Sequence, residues 1–221
     1  HISPSSASPR RGRDEDYVHY AGGWARPNLR LKVVDFSASS TGSGGAFAPA
    51  RIRAIVEALG YGKGEGKGAL TQRRKKVKSG NNAYSLSVAA HGDDDDDDVD
   101  VRSGSAIVYA ASQWETEVLA ERIAAETGSR VVAYHAGMDP ADRQRAQESW
   151  TRGRAKVCVA TVAFGMGIDK SNVRCVVHAC IPRSIEQYVQ EVGRAGRDGR
   201  PARCVCLLDD EDARQHHALA H

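Results

Sequence analysis

Two arginines set three residues apart among three glycines, in Gly193-Arg194-Ala195-Gly196-Arg197-Asp198-Gly199, are the residues whose chemistry shows first. A guanidinium is a permanently charged, forked donor that matches phosphate oxygens, and glycine lets the backbone come close to a ligand. Such a loop could hold or neutralise a phosphoryl group. The same residues also fit a helix C-terminus with a glycine cap and solvated arginines. Upstream, Thr161 and Gly165-Met166-Gly167-Ile168-Asp169 follow the apolar run Val157-Cys158-Val159-Ala160, and Cys175-Val176-Val177-His178 is a second such run. Short buried-type strands that lead into loops of Gly, Asp, Pro and Arg suit an open α/β sheet with its chemistry at the carboxyl ends of its strands. The stretch from Lys156 to Arg200 is therefore expected to organise the rest.

The elements that must position these loops can be read in order. Leu29, Leu31 and Val33 alternate with Arg30 and Lys32, which predicts a half-buried strand. Pro49 opens a helix whose apolar residues Ile52, Ile55, Val56 and Leu59 recur at helical spacing until Gly60. Ala106 to Ala110 is a short buried-type strand, and Ser112 with Glu115 matches a capping box that opens a helix ending at Gly128. Val131 to His135 is the next strand. Asp139-Pro140 starts a helix that ends near Arg152-Gly153. Strand Lys156–Ala160, strand Arg174–His178, helix Ser184–Val192 and strand Arg203–Leu208 complete the set. Strands alternating with helices predict a mostly parallel sheet covered on both faces.

Other segments are expected to stay outside that fold. Residues 1–23 are Ser, Pro, Arg and Asp without period and read as disordered linker, and Ser37–Gly45 as flexible. Residues 60–103 read as a charged insert, with a basic run Arg73-Arg74-Lys75-Lys76-Val77-Lys78 and an acidic block Asp93–Asp98. The basic run has the character of a solvated loop, a nuclear-import signal or a DNA-backbone contact. The division expected is an entry strand and helix over 24–59, the insert, a lobe over 104–212 and a tail over 213–221.

Bulk properties exclude some classes. The net charge of +3 is compatible with nucleic acid without arguing for it. No apolar run reaches membrane-spanning length and no hydrophobic signal region opens the chain, so no membrane partner is expected. The five cysteines, Cys158, Cys175, Cys180, Cys204 and Cys206, form no C-x-x-C pair and read as structural thiols in a reducing compartment. His216, His217 and His221 read as tail residues, and no metal is assigned. The chain opens at His1 without an initiator Met and is expected to be a fragment of something longer.

Thr161-Val162-Ala163-Phe164-Gly165-Met166-Gly167-Ile168-Asp169-Lys170 resembles motif V of the RecQ-type superfamily 2 DNA helicases. Gln187-Tyr188-Val189-Gln190-Glu191-Val192-Gly193-Arg194-Ala195-Gly196-Arg197-Asp198-Gly199 resembles their motif VI. Arg26-Pro27-Asn28-Leu29 is similar to the segment through which these enzymes enter their second motor lobe. The likeness runs from roughly Ser105 to Asp212, plus the patch near Arg26. It implies a RecA-like lobe of the P-loop NTPase type, one of two that close on ATP and Mg²⁺.

The chain holds neither G-x-x-x-x-G-K-[ST] nor D-E-x-H, so the phosphate loop and magnesium-binding acids of the first lobe are not in it. On the resemblance, Arg194 and Arg197 are arginine fingers for ATP bound mainly by the first lobe. Asp169 faces the nucleotide ribose or pairs with a motif VI arginine, and Gly167 and Gln190 lie at the nucleotide. His135, Gly137, Thr161 and Ser112 fall on the face that grips single-stranded or branched DNA. One departure stands out: family members carry C-N-[ST]-[RK] after the motif IV strand, whereas this chain has Ala110-Ala111-Ser112-Gln113. The expected activity is 3′ to 5′ ATP-dependent DNA unwinding in repair and recombination, in the nucleus of a eukaryote or the cytoplasm of a bacterium. The alternatives are a non-catalytic helicase-like binding module and, less favoured, an RNA helicase lobe of the DEAD-box kind, which places H-R where Gln190-Glu191 stand.

Overall fold

Apolar residues on both sides of each inner strand oblige the chain to cover its sheet twice. In a computed structural model that describes residues 26–35, 47–61, 99–164 and 169–208, this is what the chain does. Among those residues six strands form one sheet: β1 (Leu29–Asp35), β2 (Ser105–Tyr109), β3 (Val131–Tyr134), β4 (Val157–Ala160), β5 (Val173–His178) and β6 (Ala202–Leu208). All pairings are parallel, in the order β1-β6-β5-β2-β4-β3. The helices are α1 (Pro49–Ala58), α2 (Gln113–Thr127), α3 (Pro140–Thr151) and α4 (Ile185–Val192). This is the expected α/β, RecA-like architecture. The stretches 1–23 and Ser37–Gly45, the charged runs of the insert, Gly165–Ile168 and the tail from 213 lie outside the described residues.

The two faces bury different partners. Ala106 and Val108 of β2, Val157 and Val159 of β4 and Cys175 and Val177 of β5 pack with Ile52 and Ile55 of α1 and Leu119 and Ile123 of α2. Ile107 and Tyr109, Cys158 and Ala160, and Val176 turn the other way, towards Trp150 of α3, Phe164 and Val192 of α4. Trp150 is wholly buried, and its indole N–H donates to the Ala106 carbonyl at 3.0 Å. Truncating such a side chain to alanine costs about 3–5 kcal/mol.

Local signals account for the helix ends. Ser112 Oγ accepts from Glu115 N at 3.2 Å, and the Glu115 carboxylate accepts from Ser112 N, also at 3.2 Å, so the predicted capping box forms. Asp139 occupies the N-cap position of α3 but makes no side-chain cap bond; Pro140 and Asp142 in the first turn set that start instead. Ser184 caps α4 by accepting from Gln187 N at 3.2 Å.

The described residues continue at Val99. Val99 and Val101 are both 6% exposed, and a 3₁₀ turn spans Val101–Ser103. Before residue 62, Tyr61 packs on the same core, its hydroxyl accepts from Ser129 Oγ at 3.0 Å, and its ring lies 4.8 Å from the Arg102 guanidinium.

Candidate functional site

The segment joining β4 to β5 has no helix within its described residues. It leaves the carboxyl end of β4 at Thr161 and returns to the amino end of β5 at Val173, on the α3–α4 side of the sheet. Phe164 pins it there, 4.6 Å from the Tyr134 ring and 5.3 Å from Trp150, and its carbonyl accepts from the Tyr109 hydroxyl at 3.4 Å. Asp169 emerges at the far end of this crossing, 91% exposed at its side chain.

The arginine loop sits differently from the expectation that both loops lie at the carboxyl ends of strands. It follows α4, not a strand, and α4 carries the chain back across the sheet. Gly196 N donates to Val173 O at 2.9 Å, and Ala202 N to Asn28 O at 2.9 Å, which places the turn beside the amino ends of β5, β6 and β1. The end of the motif V segment and the arginine loop therefore meet on one side of the sheet. There Arg197 Nη1 donates to Asp169 Oδ1 at 3.0 Å, with the arginine side chain 34% exposed. Arg194 is half-buried and lies against the Tyr109 hydroxyl; burial drives that phenol's pKa up, and the Arg194 charge opposes it only in part. Gln190 is exposed on α4.

The loop's backbone is held from a distance in sequence. Arg26 donates from Nη1 to Gly193 O at 3.0 Å and from Nη2 to Ala195 O at 2.7 Å and Gly196 O at 2.6 Å. Asn28 Nδ2 donates to Gly196 O at 2.9 Å and Arg200 O at 3.0 Å. Beneath the loop Arg174, 4% exposed, forms an ion pair with Asp198, and Arg200 N donates to Asp198 Oδ1 at 3.1 Å. Desolvation would raise the Asp198 carboxyl, but the Arg200 N–H and the hydrogen bond and charge of Arg174 outweigh it and leave its pKa below the ordinary value. A second buried pair ties α4 to β5: His178 Nε2 lies 2.8 Å from Glu191 Oε2, Gln187 Nε2 donates to Glu191 Oε1 at 3.0 Å, and the His178 ring stacks on Tyr109 at 5.4 Å.

The residues expected at nucleic acid cluster at the carboxyl ends of β2, β3 and β4. Thr161 N donates to Tyr134 O at 3.3 Å, which puts it beside the end of β3. His135 is only 4% exposed, its Nε2 lies 3.0 Å from Glu117 Oε1, and the surface at this point is Ala136 and Gly137. The Gln113 side chain lies over Gly137, filling the space a Cβ there would need. Ser112 is exposed, yet its Oγ is already an acceptor in the cap, and the Ala111 and Ser112 N–H groups are taken by Glu115 at 3.0 and 3.2 Å. A phosphate at this helix N-terminus would have to compete with that carboxylate. Gly167 lies outside the described residues.

Arg26, Asn28, Arg174, Asp198, His178 and Glu191 were not singled out as site residues by sequence reasoning. The signal available for the first two was the R-P-N-L segment, read only as a strand entry; for Arg174, a lone arginine leading an otherwise apolar strand. Among the described residues no group of three or more His, Cys, Asp or Glu comes together that could hold a metal ion, and no helix is long and apolar enough to cross a membrane.

Residues 99–199 match the family model for the helicase conserved C-terminal domain. The chain is 50% identical over 108 residues to the ATP-dependent DNA helicase RecQ of Haemophilus influenzae, which is 49% of this chain and 17% of that protein. It is 45% identical over 108 residues to the ATP-dependent DNA helicase hus2/rqh1 of Schizosaccharomyces pombe, 49% of this chain and 8% of that one. To the human ATP-dependent DNA helicase Q4 it is 52% identical over 91 residues, 40% of this chain and 8% of that protein. The chain thus spans less than a fifth of the length of each of these relatives.

Proposed function

Residues 99–199 are a helicase C-terminal lobe of the RecQ type in superfamily 2, and from that premise we propose that this chain is the trans-acting half of an ATP-dependent DNA motor. ATP with Mg²⁺ is the cofactor this reading requires, held mainly by a first lobe whose motifs are not in this chain. Arg194 and Arg197 reach across the closed cleft, and their forked donors neutralise the charge that develops on the γ-phosphoryl oxygens. Lysine would serve poorly, because it offers a point charge without the planar fork. Asp169 holds Arg197 until the cleft shuts and then turns to the ribose or stays with the arginine. Gly167 and Gln190 complete the nucleotide side.

One observation carries the reading: the loop's backbone is tied down by five hydrogen bonds from Arg26 and Asn28, while the Arg197 guanidinium stays at the surface, paired with a carboxylate that is 91% exposed. A solvated pair of this kind is worth about 0–1 kcal/mol, so a triphosphate can displace it. An Arg197 locked in a buried ion pair would have argued for structure alone.

The DNA track in this reading is the strand-end face with Thr161, Gly137 and Ser112. His135 acts from beneath, supporting the Ala136-Gly137 turn rather than touching phosphate. DNA is favoured over RNA because the relatives carry DNA helicase names. Unwinding runs 3′ to 5′, and a eukaryotic protein of this kind works in the nucleus. The test is DNA-stimulated ATPase in the two-lobed protein: Arg194→Ala or Arg197→Ala should cost at least ~10²-fold in turnover, with nucleotide binding changed less. Undiminished turnover in both variants refutes the assignment.

A further inference from the structure

Arg26 stands 167 to 170 residues away in sequence from the carbonyls it binds, and those carbonyls bracket Arg194. Gly193 O, Ala195 O and Gly196 O belong to the last turn of α4 and the bend after it, where backbone oxygens have run out of helical partners. One guanidinium takes all three. Its positive charge also lies at the negative end of the helix dipole. Asn28, two residues on, ties Gly196 O to Arg200 O across the turn at 2.9 and 3.0 Å. Leu29 then begins β1, paired in register with Ala202 of β6, so the clasp is anchored to the sheet at its edge.

We infer that Arg26 and Asn28 are positioning residues for the arginine loop: they fix the backbone at 193–200 so that Arg194 and Arg197 present their guanidiniums in one geometry. This rests on the proposed role of those two arginines, and it adds residues that touch neither nucleotide nor DNA in that reading. The chemistry explains the residue types. A lysine could not divide its contact among three divergent carbonyls as a planar fork does. Loosening the loop would leave Arg197 its exposed partner Asp169 but remove the scaffold that aims both side chains. Misplacement of a transition-state group by about 1 Å can cost ~10²-fold in rate.

The experiment uses the two-lobed protein with Arg26→Ala, Arg26→Lys and Asn28→Ala, each alone and in an Arg194→Ala background. Steady-state ATPase with saturating single-stranded DNA gives kcat and the KM for ATP, and hydrogen exchange reports the amides of 194–200. The expected result is a fall in kcat towards ~10²-fold for Arg26→Ala, with KM changed less than ~3-fold and faster exchange confined to the loop. In the Arg194→Ala background the same change should remove less than in the otherwise wild-type protein, because one of the two guanidiniums it positions is already gone. If Arg26→Ala fails to fold, Arg26→Lys, which keeps charge and length, carries the same expectations. Wild-type kcat in both Arg26 variants, or losses that add fully to that of Arg194→Ala, overturns the inference while leaving the arginine fingers in place. If Arg194→Ala is itself harmless, the functional reading falls and takes the positioning role with it. Unchanged exchange at 194–200 in Arg26→Ala would show that the clasp does not hold the loop at all.

Discussion

Gly196 is where the arginine loop is most sensitive to a single added carbon. Its φ is +53°, in the left-handed region, and a Cβ there would overlap Asn28 Nδ2 and come within 2.8 Å of Arg200 O and 3.3 Å of Ala202 Cβ. Gly196→Ala therefore meets two costs. Holding alanine left-handed takes roughly 1–2 kcal/mol. Pushing Asn28 aside forfeits its bonds to Gly196 O and Arg200 O, about 1 kcal/mol each in net terms. The sum is about 3–4 kcal/mol. Gly199 supplies the control, because its φ is +80° but a Cβ there meets nothing within 4 Å. Gly199→Ala should therefore cost only the conformational part, roughly 1–2 kcal/mol. Urea unfolding of the three proteins, followed by circular dichroism with equal slopes, measures both differences. If Gly196→Ala is no more destabilised than Gly199→Ala, Asn28 moves aside without loss and the clasp is not a stabilising contact.

Three further outcomes are expected. The Asp198 carboxyl is held below its ordinary range, so its contribution is present at neutral pH and is lost as pH falls through its lowered folded-state value. Asp198→Asn should be less stable at pH 7 and show a shallower acid loss below about pH 4, read from urea midpoints across pH. Ser112→Ala should cost about 1 kcal/mol by removing the α2 cap, whereas Ser112→Asp keeps an acceptor and restores that stability. In the two-lobed protein Ser112→Asp should nonetheless weaken single-stranded DNA binding in a filter or anisotropy assay, because its carboxylate would face the phosphates.

Much of this fold could be read from residue order because its signals are local. Alternating apolar strands, the Ser112–Glu115 box, Pro140 and the glycine after α2 each act over a few residues, and the structure uses them as expected. The arginine loop was legible by composition, but its position was not. A helix of eight residues, α4, returns the chain to the amino ends of β5 and β6, and no local pattern says how far a helix carries its successor. The clasp was invisible for a related reason: Arg26 and Gly193 find each other only through the β1–β6 pairing. Buried charges misled in their own way. Arg174 and Glu191 look like surface residues in sequence, and their partners, Asp198 for the first and His178 with Gln187 for the second, make 4% and 3% exposure tolerable. Val99 and Val101 were masked by the acidic block that precedes them.

The meeting of Tyr61 with Arg102 has a consequence for the charged stretch between them. Its two roots stand a side chain apart on the α1–α2 side of the sheet, whereas the arginine loop lies on the α3–α4 side. Two ends held this close allow the number of residues that join them to change at little cost, since doubling a flexible connection adds only about 0.6 kcal/mol of closure entropy. Insertions or deletions between Tyr61 and Arg102 are therefore expected to leave the arginine loop on the far side of the sheet undisturbed.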